Sequence, residues 1–230
     1  MNRMRPKLIG ICGGSGSGKS WLVERLAEVI PGAASLSLDS FYRDRSGLPM
    51  ERRDRINYDH PRCIDWAAFE TALRDLKEGR ETFIPSYDFA THSRRQSGQR
   101  FAPQPMIFVE GLWLLRKPSV RRLFDLTFFM ACPARQRLTW RLERDQSERG
   151  RTAESIRKQF AATVNPMHDQ FVEPQKRFAD VSICQPFDVK GVEAIFNALW
   201  PIVSGDQIQP AHKREEFRRR LANLLAREAM

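Results

Sequence analysis

Short runs of apolar residues recur along the chain and are separated by polar segments with a helical period. The runs cover residues 7–12, 34–38, 106–109, 126–131 and 181–184. Strands that alternate with helices are typical of βαβ units, in which helices cover both faces of a parallel sheet. The pattern therefore predicts an α/β fold with about five parallel strands flanked by helices.

The same periodicity predicts particular helices. Between the first two apolar runs, Leu22, Leu26 and Ile30 repeat every four positions and form one apolar helix face. A second helix is expected over residues 64–77. Both helices fit the alternation of strands and helices.

Two segments depart from this alternation. Residues 82–101 are polar and rich in aromatic and turn residues around Gly98, which predicts a β-hairpin or a long loop outside the sheet. Such insertions often serve a binding site. Residues 133–177 are arginine-rich and helical in pattern, with breaks expected near Gly150 and Pro166.

The last part of the chain, residues 205–230, is basic and amphipathic. One face of the predicted helix carries Phe217, Leu221, Leu224 and Leu225, and the opposite face carries arginines. We favour packing of this stripe on its own domain or on another subunit, and keep a membrane or nucleic-acid surface as the alternative. Residues 1–204 are accordingly interpreted as one domain and residues 205–230 as a tail.

Composition narrows the class of protein. The 230 residues fit a single domain, and 41% hydrophobic with 29% charged residues is typical of a globular protein. The net charge of +10 is concentrated in residues 135–151 and in the last twenty residues. That charge suits either a nucleic-acid surface or a phosphate site with a basic tail. No apolar run reaches the length of a secretory signal core or a membrane span, so we expect a cytoplasmic protein with no membrane partner.

The four cysteines are widely spaced along the chain. They are Cys12, Cys63, Cys132 and Cys184. Since there is no CxxC pair and no histidine at zinc-finger spacing, we expect reduced structural thiols.

A glycine-rich motif, the P-loop, indicates a phosphate site and assigns the predicted parallel sheet to the P-loop NTPase type of α/β fold. Residues 13–20 match G-x-x-x-x-G-K-[ST] and lie between an apolar run and an amphipathic helix. In such a loop the backbone N–H groups and the helix N-terminus hold phosphates, the lysine reaches the β- and γ-phosphates, and the following hydroxyl can bind Mg²⁺. A glycine-rich connection without a binding role would not explain a lysine and a serine directly after the last glycine. The predicted ATP-binding residues are Gly13, Gly14, Ser15, Gly16, Ser17, Gly18, Lys19 and Ser20.

Two carboxylates follow apolar runs. Asp39 comes after residues 34–38, and Glu110 comes after residues 106–109. Ligands of an open parallel sheet lie beyond the carboxyl ends of its strands. Phosphoryl transfer to a hydroxyl needs one carboxylate to orient or deprotonate that hydroxyl and another to hold Mg²⁺. Asp39 suits the first role and Glu110 the second, with capping of a following helix or turn as the alternative for each.

Further motifs resemble one family in particular. Beside the P-loop, they are DSFY at 39–42, NYDHP at 57–61, PSYDFATHSR at 85–94, EG at 110–111, RD and ERGR within 144–151, PMH at 166–168, and the EP and AD pairs at 173–174 and 179–180. With these motifs the chain resembles the uridine-cytidine kinases, within the group that includes phosphoribulokinase. The resemblance extends over residues 7–180.

The resemblance implies transfer of the ATP γ-phosphate to the 5′-hydroxyl of uridine or cytidine. Asp39 would be the base and Lys19 would act with it at the transferred phosphate, while Ser20 and Glu110 would bind Mg²⁺. A small-molecule nucleoside would be the partner, and a homo-oligomer, commonly a tetramer, would be expected.

The resemblance also implies an acceptor pocket. Asp59, Arg141 and Gln159 would hold the ribose hydroxyls, so ribonucleosides should be preferred. Tyr87 and His92 would contact the polar edge of the base. The walls of the pocket would be Tyr42, Tyr58 and Phe89. Without the motif, these rings would be interpreted as a packed core or hairpin cluster.

Three arginines would form a lid in the related enzymes. Arg144 and Arg149 would be catalytic, and Arg151 would bind ATP. Together they would neutralise charge on the moving phosphoryl group and help to exclude water. The alternative is a solvated helix face on which they pair with Asp145 and Glu148.

The sequence departs from the family pattern in two places. Residues 184–191 read CQPFDVKG where the family commonly has a Pro-Arg-Gly-Gly-like turn, which leaves both ATP and GTP open as donors. Tyr58 stands where the motif usually has Phe.

Other functions are compatible with parts of the sequence. A kinase of another nucleoside or of a sugar phosphate would keep Lys19, Asp39 and Glu110 in the same roles. A nucleic-acid-binding ATPase would explain the net charge, but we find no RNP-type strand and no helix-turn-helix signature. A catalytically idle relative is disfavoured because the motif residues are intact.

Overall fold

The structure is a computed structural model that describes residues 5–53, 55–95, 97–205 and 210–226. The strands are β1 (Lys7–Gly13), β2 (Ala33–Ser37), β3 (Thr82–Ile84), β4 (Tyr87–Asp88), β5 (Ser93–Arg94), β6 (Gln99–Phe101), β7 (Met106–Gly111), β8 (Leu126–Ala131) and β9 (Val181–Cys184). The α-helices are α1 (Lys19–Val29), α2 (Met50–Arg53), α3 (Trp66–Lys77), α4 (Pro118–Arg121), α5 (Ala134–Arg149), α6 (Ala153–Gln159), α7 (Asn165–Met167), α8 (Val189–Ser204) and α9 (Ala211–Ala226). Residues 1–4 of the predicted domain, and residues 206–209 and 227–230 of the predicted tail, lie outside the described residues.

Five parallel strands form the central sheet, in the order β2-β7-β1-β8-β9. The predicted α/β class is therefore confirmed. Because all five strands run the same way, their carboxyl ends meet at one edge, where ligands of such sheets bind. The predicted strand at 34–38 lies one residue earlier, since Ser37 Oγ accepts the backbone N–H of Asp39 at 3.2 Å and starts a 3₁₀ turn at Leu38. The strand predicted to end at 109 continues to Gly111, so Glu110 lies within β7.

Alternating residues of the sheet fill two hydrophobic cores. In β1, Leu8 and Cys12 pack on one face with α3, while Ile9 and Ile11 pack on the other with α1, α8 and α9. The predicted helix at 64–77 begins at Trp66, because the Asp65 carboxylate accepts the backbone N–H of Ala68 at 3.2 Å and caps it.

The predicted insertion at residues 82–101 is a hairpin outside the central sheet. Strands β3 and β6 pair antiparallel, and the short strands β4 and β5 pair antiparallel between them. The hairpin is attached to the body by Arg94, whose guanidinium donates to the carbonyl oxygen of Tyr42 at 2.9 Å and pairs with Asp65 at 3.2 Å.

The arginine-rich region breaks where predicted at Gly150, which ends α5 with a left-handed φ of 61°. The break predicted at Pro166 is wrong. The chain remains helical from α6 through Pro166, but it widens to π-helical turns over Phe160–Val164 and His168–Val172. In the π-helical turn before Pro166, the Asn165 backbone N–H donates to the Phe160 carbonyl oxygen, five residues earlier in the chain.

The C-terminal helix α9 packs on α1 and α8. Its residues Phe217, Leu221 and Leu225 are buried, and the Phe217 ring lies 5.8 Å from that of Trp200. Arg218 adds an ion pair with Glu193 at 2.6 Å. The apolar stripe of the tail therefore packs on its own domain, which was the favoured interpretation. Among the described residues no helix is both long and apolar enough to cross a bilayer.

We expect Leu221→Ala to lower the free energy of unfolding by about 2–5 kcal/mol, because it deletes a fully buried side chain and leaves a cavity. Urea titration followed by circular dichroism measures the change. Arg219→Ala, on the exposed face of α9, is the matched control and should change the free energy by less than about 0.5 kcal/mol. Equal stabilities for the two variants would contradict the packing role of α9.

Candidate active site

The P-loop joins β1 to α1 and wraps back on itself. The Ser17 backbone N–H donates to the Gly14 carbonyl oxygen at 3.2 Å, and Lys19 Nζ donates to that same oxygen at 2.8 Å. Gly16 and Gly18 adopt left-handed φ values of 74° and 81°, which favour glycine. A Cβ at Gly16 would also collide with the carbonyl oxygen of Arg137.

Lys19 is a buried cation beside two carboxylates. Burial lowers the pKa of its ammonium, and the nearby Glu110 and Asp39 carboxylates oppose that change. The predicted base, the predicted metal ligand and the P-loop lysine therefore act on one another electrostatically. All three line one open cleft at the carboxyl edge of the sheet.

Asp39 lies in the 3₁₀ turn that follows β2. Burial raises the pKa of its carboxyl to about 6, and Glu110 adds to the increase. The positive charges of Lys19 and Arg149 oppose this increase by lowering the pKa. Within the described residues, Asp39 Oδ1 is buried without a hydrogen-bond partner. A carboxylate in this state can accept a proton near neutral pH.

Ser37 connects the two predicted carboxylates. Its Oγ donates to Glu110 Oε1 at 2.5 Å while accepting the Asp39 backbone N–H. Ser37 was not predicted, although its position two residues before Asp39 is a capping signal.

Oxygen atoms suited to Mg²⁺ lie on the same cleft. Ser20 is exposed on the first turn of α1, and Glu110 reaches the cleft from β7. No cluster of three or more histidine, cysteine or acidic residues that could hold a metal is found in the part of the chain that the structure describes. One hydroxyl and one carboxylate fit an ion that keeps several waters and binds substrate phosphates, as Mg²⁺ does.

The cleft has a volume of about 1290 Å³ and lies between the P-loop, the hairpin and α5. Of the predicted residues beyond the P-loop, Asp39, Tyr87, Phe89, Glu110, Arg144 and Arg149 line it. The remaining predicted residues, which do not line it, are Tyr42, Tyr58, Asp59, His92, Arg141, Arg151 and Gln159.

Asp145 binds all the predicted lid arginines. Its carboxylate is fully buried and forms ion pairs with Arg144 at 2.8 Å and Arg151 at 3.2 Å. Arg141 and Arg149 each lie 3.5 Å from it. Burial alone would raise the pKa of Asp145, but Arg141 and Arg144 bring it below its usual value. The pairing of these arginines with Asp145 that the alternative expected is present, but the carboxylate is buried and does not lie on a solvated face. The central position of Asp145 was not predicted.

The three predicted ribose-binding residues form one hydrogen-bonded chain. Arg141 donates to Gln159 Oε1 at 2.9 Å, and Gln159 Nε2 donates to Asp59 at 3.5 Å. Thr163 adds a hydroxyl that donates to Asp59 at 2.7 Å. Arg141 also donates to Ser15 Oγ at 2.7 Å and so links this chain to the P-loop. Thr163 was not predicted, although it follows Gln159 by one helical turn.

The predicted aromatic residues lie together beside the hairpin. Tyr42 has ring contacts with Tyr87 at 5.1 Å, Phe89 at 5.9 Å and Tyr58 at 6.3 Å. Tyr58 and His92 stack with ring centroids 3.8 Å apart. The five rings thus contact one another and form a continuous aromatic surface.

Arg137 and His168 lie behind the P-loop and were not predicted as site residues. Arg137 is buried, donates to Asn165 Oδ1 at 2.8 Å and lies under Gly14 and Gly16. Burial and the charges of Arg137 and Lys19 lower the pKa of His168 to about 4. The side chains of Arg137 and His168 leave no room for a Cβ at Gly14, and the Arg137 carbonyl oxygen leaves none at Gly16.

The unusual turn after β9 borders the P-loop. Gln185, Pro186 and Phe187 line the cleft together with Trp21, and the Phe187 and Trp21 rings lie 6.1 Å apart. A Cβ at Gly18 would lie 3.3 Å from the Gln185 amide nitrogen.

The chain is similar to known kinases in sequence. Residues 8–190 match the model of the Phosphoribulokinase / Uridine kinase family. A curated uridine kinase from Lactobacillus helveticus (strain DPC 4571) is 39% identical over 182 residues, which is 78% of this chain and 86% of the relative. A uridine kinase from Clostridium botulinum (strain Okra / Type B1) is 41% identical over 181 residues, or 78% of this chain and 88% of the relative.

A solved structure is similar in fold. Phosphoribulokinase from Rhodobacter spheroides superposes with a TM-score of 0.57 at 18% identity, and the match covers 79% of this chain and 70% of the other. The predicted P-loop kinase fold is therefore confirmed.

Proposed function

Because the chain belongs to the Phosphoribulokinase / Uridine kinase family, we propose that it transfers the γ-phosphoryl group of ATP to the 5′-hydroxyl of uridine or cytidine, giving UMP or CMP. The observation that carries the proposal is that the P-loop lysine, Lys19, and the carboxylate of Asp39, whose Oδ1 is buried and has no hydrogen-bond partner among the described residues, line the same cleft. The choice of a nucleoside over a sugar phosphate as the acceptor is based on the relatives, which are named uridine kinases. Its biological setting would be pyrimidine salvage.

Asp39 is the proposed base. Its raised pKa lets it accept the proton of the nucleoside hydroxyl as the oxygen attacks the γ-phosphorus. Ser37 holds the turn that carries Asp39, and Lys19 binds the phosphoryl oxygens when it leaves the Gly14 carbonyl oxygen. These residues would catalyse the reaction by positioning the reacting groups and stabilising negative charge on the transferred phosphoryl group.

Ser20 and Glu110 are the proposed protein groups around Mg²⁺. These residues would hold Mg²⁺, which would supply positive charge beside the phosphates. Ser37, hydrogen-bonded to Glu110 Oε1, orients that carboxylate toward the cleft. Gly13–Gly18 would hold the phosphates through their backbone N–H groups. Either ATP or GTP suits this phosphate site, and the turn at 184–187 would contact the donor base.

Arg144, Arg149 and Arg151 form the proposed lid over the transferred group. Arg144 and Arg149 line the cleft and can exchange one bond to Asp145 for phosphate oxygens. Closure would also exclude water as a competing acceptor.

The hydrogen-bonded chain of Asp59, Arg141 and Gln159 is the proposed ribose site. The aromatic surface, with Tyr87 and His92 at its polar positions, is the proposed base site. In this arrangement the stacked Tyr58 and His92 rings separate when a base enters. We also propose that the protein is cytoplasmic and forms a homo-oligomer. Residues 1–204 are the proposed catalytic domain, and the tail packs on it.

The test incubates purified protein with Mg·ATP and a panel of nucleosides, deoxynucleosides and sugar phosphates, and measures ADP and phosphorylated product. Uridine- and cytidine-dependent turnover would support the proposal. Turnover with a different acceptor would overturn the acceptor assignment, and no turnover across the panel would overturn the kinase assignment.

We expect 2′-deoxyuridine to have a kcat/KM about 10- to 100-fold below that of uridine, because a hydrogen bond to a charged group contributes roughly 1.5–3 kcal/mol. Asp59→Ala should reduce this preference at least about tenfold, since it removes the carboxylate proposed to bind the hydroxyls. Glu51→Gln, an exposed acid on α2, should leave the preference unchanged. An unchanged preference in Asp59→Ala would contradict the ribose site.

A further inference from the structure

A second concavity lies outside the active-site cleft and is lined by arginine and aromatic residues. Its volume is about 780 Å³, and its lining includes Arg43, Arg45, Arg62, Arg116, Trp66 and Phe171. We call it the basic depression. It shares no lining residue with the cleft that holds the P-loop. Its volume lies in the range of small-molecule sites, roughly 300–1,000 Å³.

Among the described residues, the positive charge of the basic depression is not offset by an ion pair. No acidic residue lines it, and within the described residues none of its four arginines forms an ion pair. Arg43 donates to the backbone carbonyl oxygens of Arg62 and Ile64, both at 3.2 Å, which are neutral partners. In the active site, by contrast, four arginines share the buried carboxylate of Asp145. Arginines gathered without a counter-charge are typical of a site for phosphate groups.

The walls of the basic depression also offer flat apolar surfaces. Arg116 lies over the Phe171 ring at 4.8 Å, and the His60 ring meets Phe171 edge-on at 4.8 Å. Burial and the positive charges of Arg62 and Arg116 lower the pKa of His60, so the imidazole tends to stay neutral there. A planar group beside these rings could stack on them.

The basic depression is preformed by backbone contacts. The Arg43 backbone N–H donates to the Cys63 carbonyl oxygen at 2.7 Å, and Tyr42 pairs with Ile64 in an isolated bridge. The His60 ring accepts the Arg62 backbone N–H at 3.0 Å. These contacts hold the segments that carry Arg43 and Arg62 together without a ligand, which lowers the entropic cost of binding.

We propose that the basic depression binds the oligophosphate group of a small molecule, of the nucleoside di- or triphosphate class, at a site separate from the P-loop. Several guanidinium groups around one concavity can each bind phosphate oxygens, and the rings can contact an attached base. A nucleic acid is the disfavoured occupant, because the charge is gathered in one ligand-sized concavity instead of along an extended groove.

The experiment isolates this site from the P-loop. Lys19→Ala weakens phosphate binding at the P-loop, and isothermal titration with inorganic tripolyphosphate then reports the remaining site. Adding Arg62→Ala and Arg116→Ala should weaken that remaining binding at least about tenfold, since charge-assisted bonds are lost. Adding Arg219→Ala and Arg220→Ala instead removes the same charge from the exposed face of α9 and should leave it unchanged.

Two further arms identify the ligand class. Tighter binding of a nucleoside triphosphate than of tripolyphosphate would indicate that the base is contacted, and equal binding would indicate recognition of the phosphates alone; both support the proposal. Absence of binding in Lys19→Ala, or equal losses in the two double-arginine backgrounds, would overturn it. So would a single-stranded RNA that binds more tightly at equal phosphate concentration. Melting temperatures verify that each variant is folded, and the assay needs no turnover, so its outcome is independent of the kinase proposal.

Discussion

Asp39→Asn should lower kcat for uridine phosphorylation by about 10²–10⁴-fold while leaving ATP binding nearly unchanged. The amide keeps the size of the side chain but cannot accept the proton of the attacking hydroxyl. The Ser37 contact to the Asp39 backbone N–H does not involve the carboxylate, so the turn itself should persist. Steady-state kinetics with uridine, together with titration of an ATP analogue, separates the two effects.

The pH profile of the native protein gives a second measurement on the same residue. A base works when deprotonated, so kcat/KM should rise with pH through about 6 and become level above it, because burial raises the pKa of Asp39 to about 6. Glu28→Gln, which changes a surface acid paired with Arg25 at 2.7 Å, should keep both the rate and the profile. Native activity in Asp39→Asn would contradict the role of Asp39 as base.

Asp145→Asn should lower the free energy of unfolding by about 3–5 kcal/mol, because removing one partner of a buried ion pair leaves the others uncompensated. Arg141 is itself buried, and its remaining partners, Ser15 and Gln159, are neutral. The variant should also have a lower kcat, since Arg144 and Arg149 lose the group that holds them beside the cleft. Urea unfolding and steady-state kinetics measure the two effects.

The matched control for Asp145 is Glu148→Gln. Glu148 lies on the same helix, α5, but is exposed. Its substitution should change the free energy of unfolding by less than about 0.5 kcal/mol. If both variants unfold at the same urea concentration, the arginine cluster does not depend on Asp145 as we infer.

The sheet was predictable from sequence because buried parallel strands leave continuous apolar runs. The errors are local and occur where polar groups determine the end of a strand. The second strand ends at Ser37, since a serine hydroxyl captures the next turn, and β7 continues through Glu110 because its neighbours β1 and β2 still pair with it. A count of apolar residues cannot detect either effect.

The P-loop and Asp39 were accessible to sequence reasoning because each lies directly after a strand. The position of Asp145 was not, since it depends on Gly150 turning the chain so that Arg151 returns to α5. Likewise, Thr163 reaches Asp59 through contacts between segments 104 residues apart. Such contacts depend on helix registers, including the π-helical turns around Pro166, which the proline alone did not predict.

The cluster of four arginines on one buried aspartate has a consequence for the protein in solution. Arginines gathered for a polyanionic nucleotide would repel one another when the nucleotide is absent, and would attract buffer anions that must later leave. Asp145 is a built-in counterion that partly replaces those anions. Nucleotide binding should therefore release fewer ions than the number of arginines suggests, and phosphate binding by the proposed lid should depend only weakly on ionic strength.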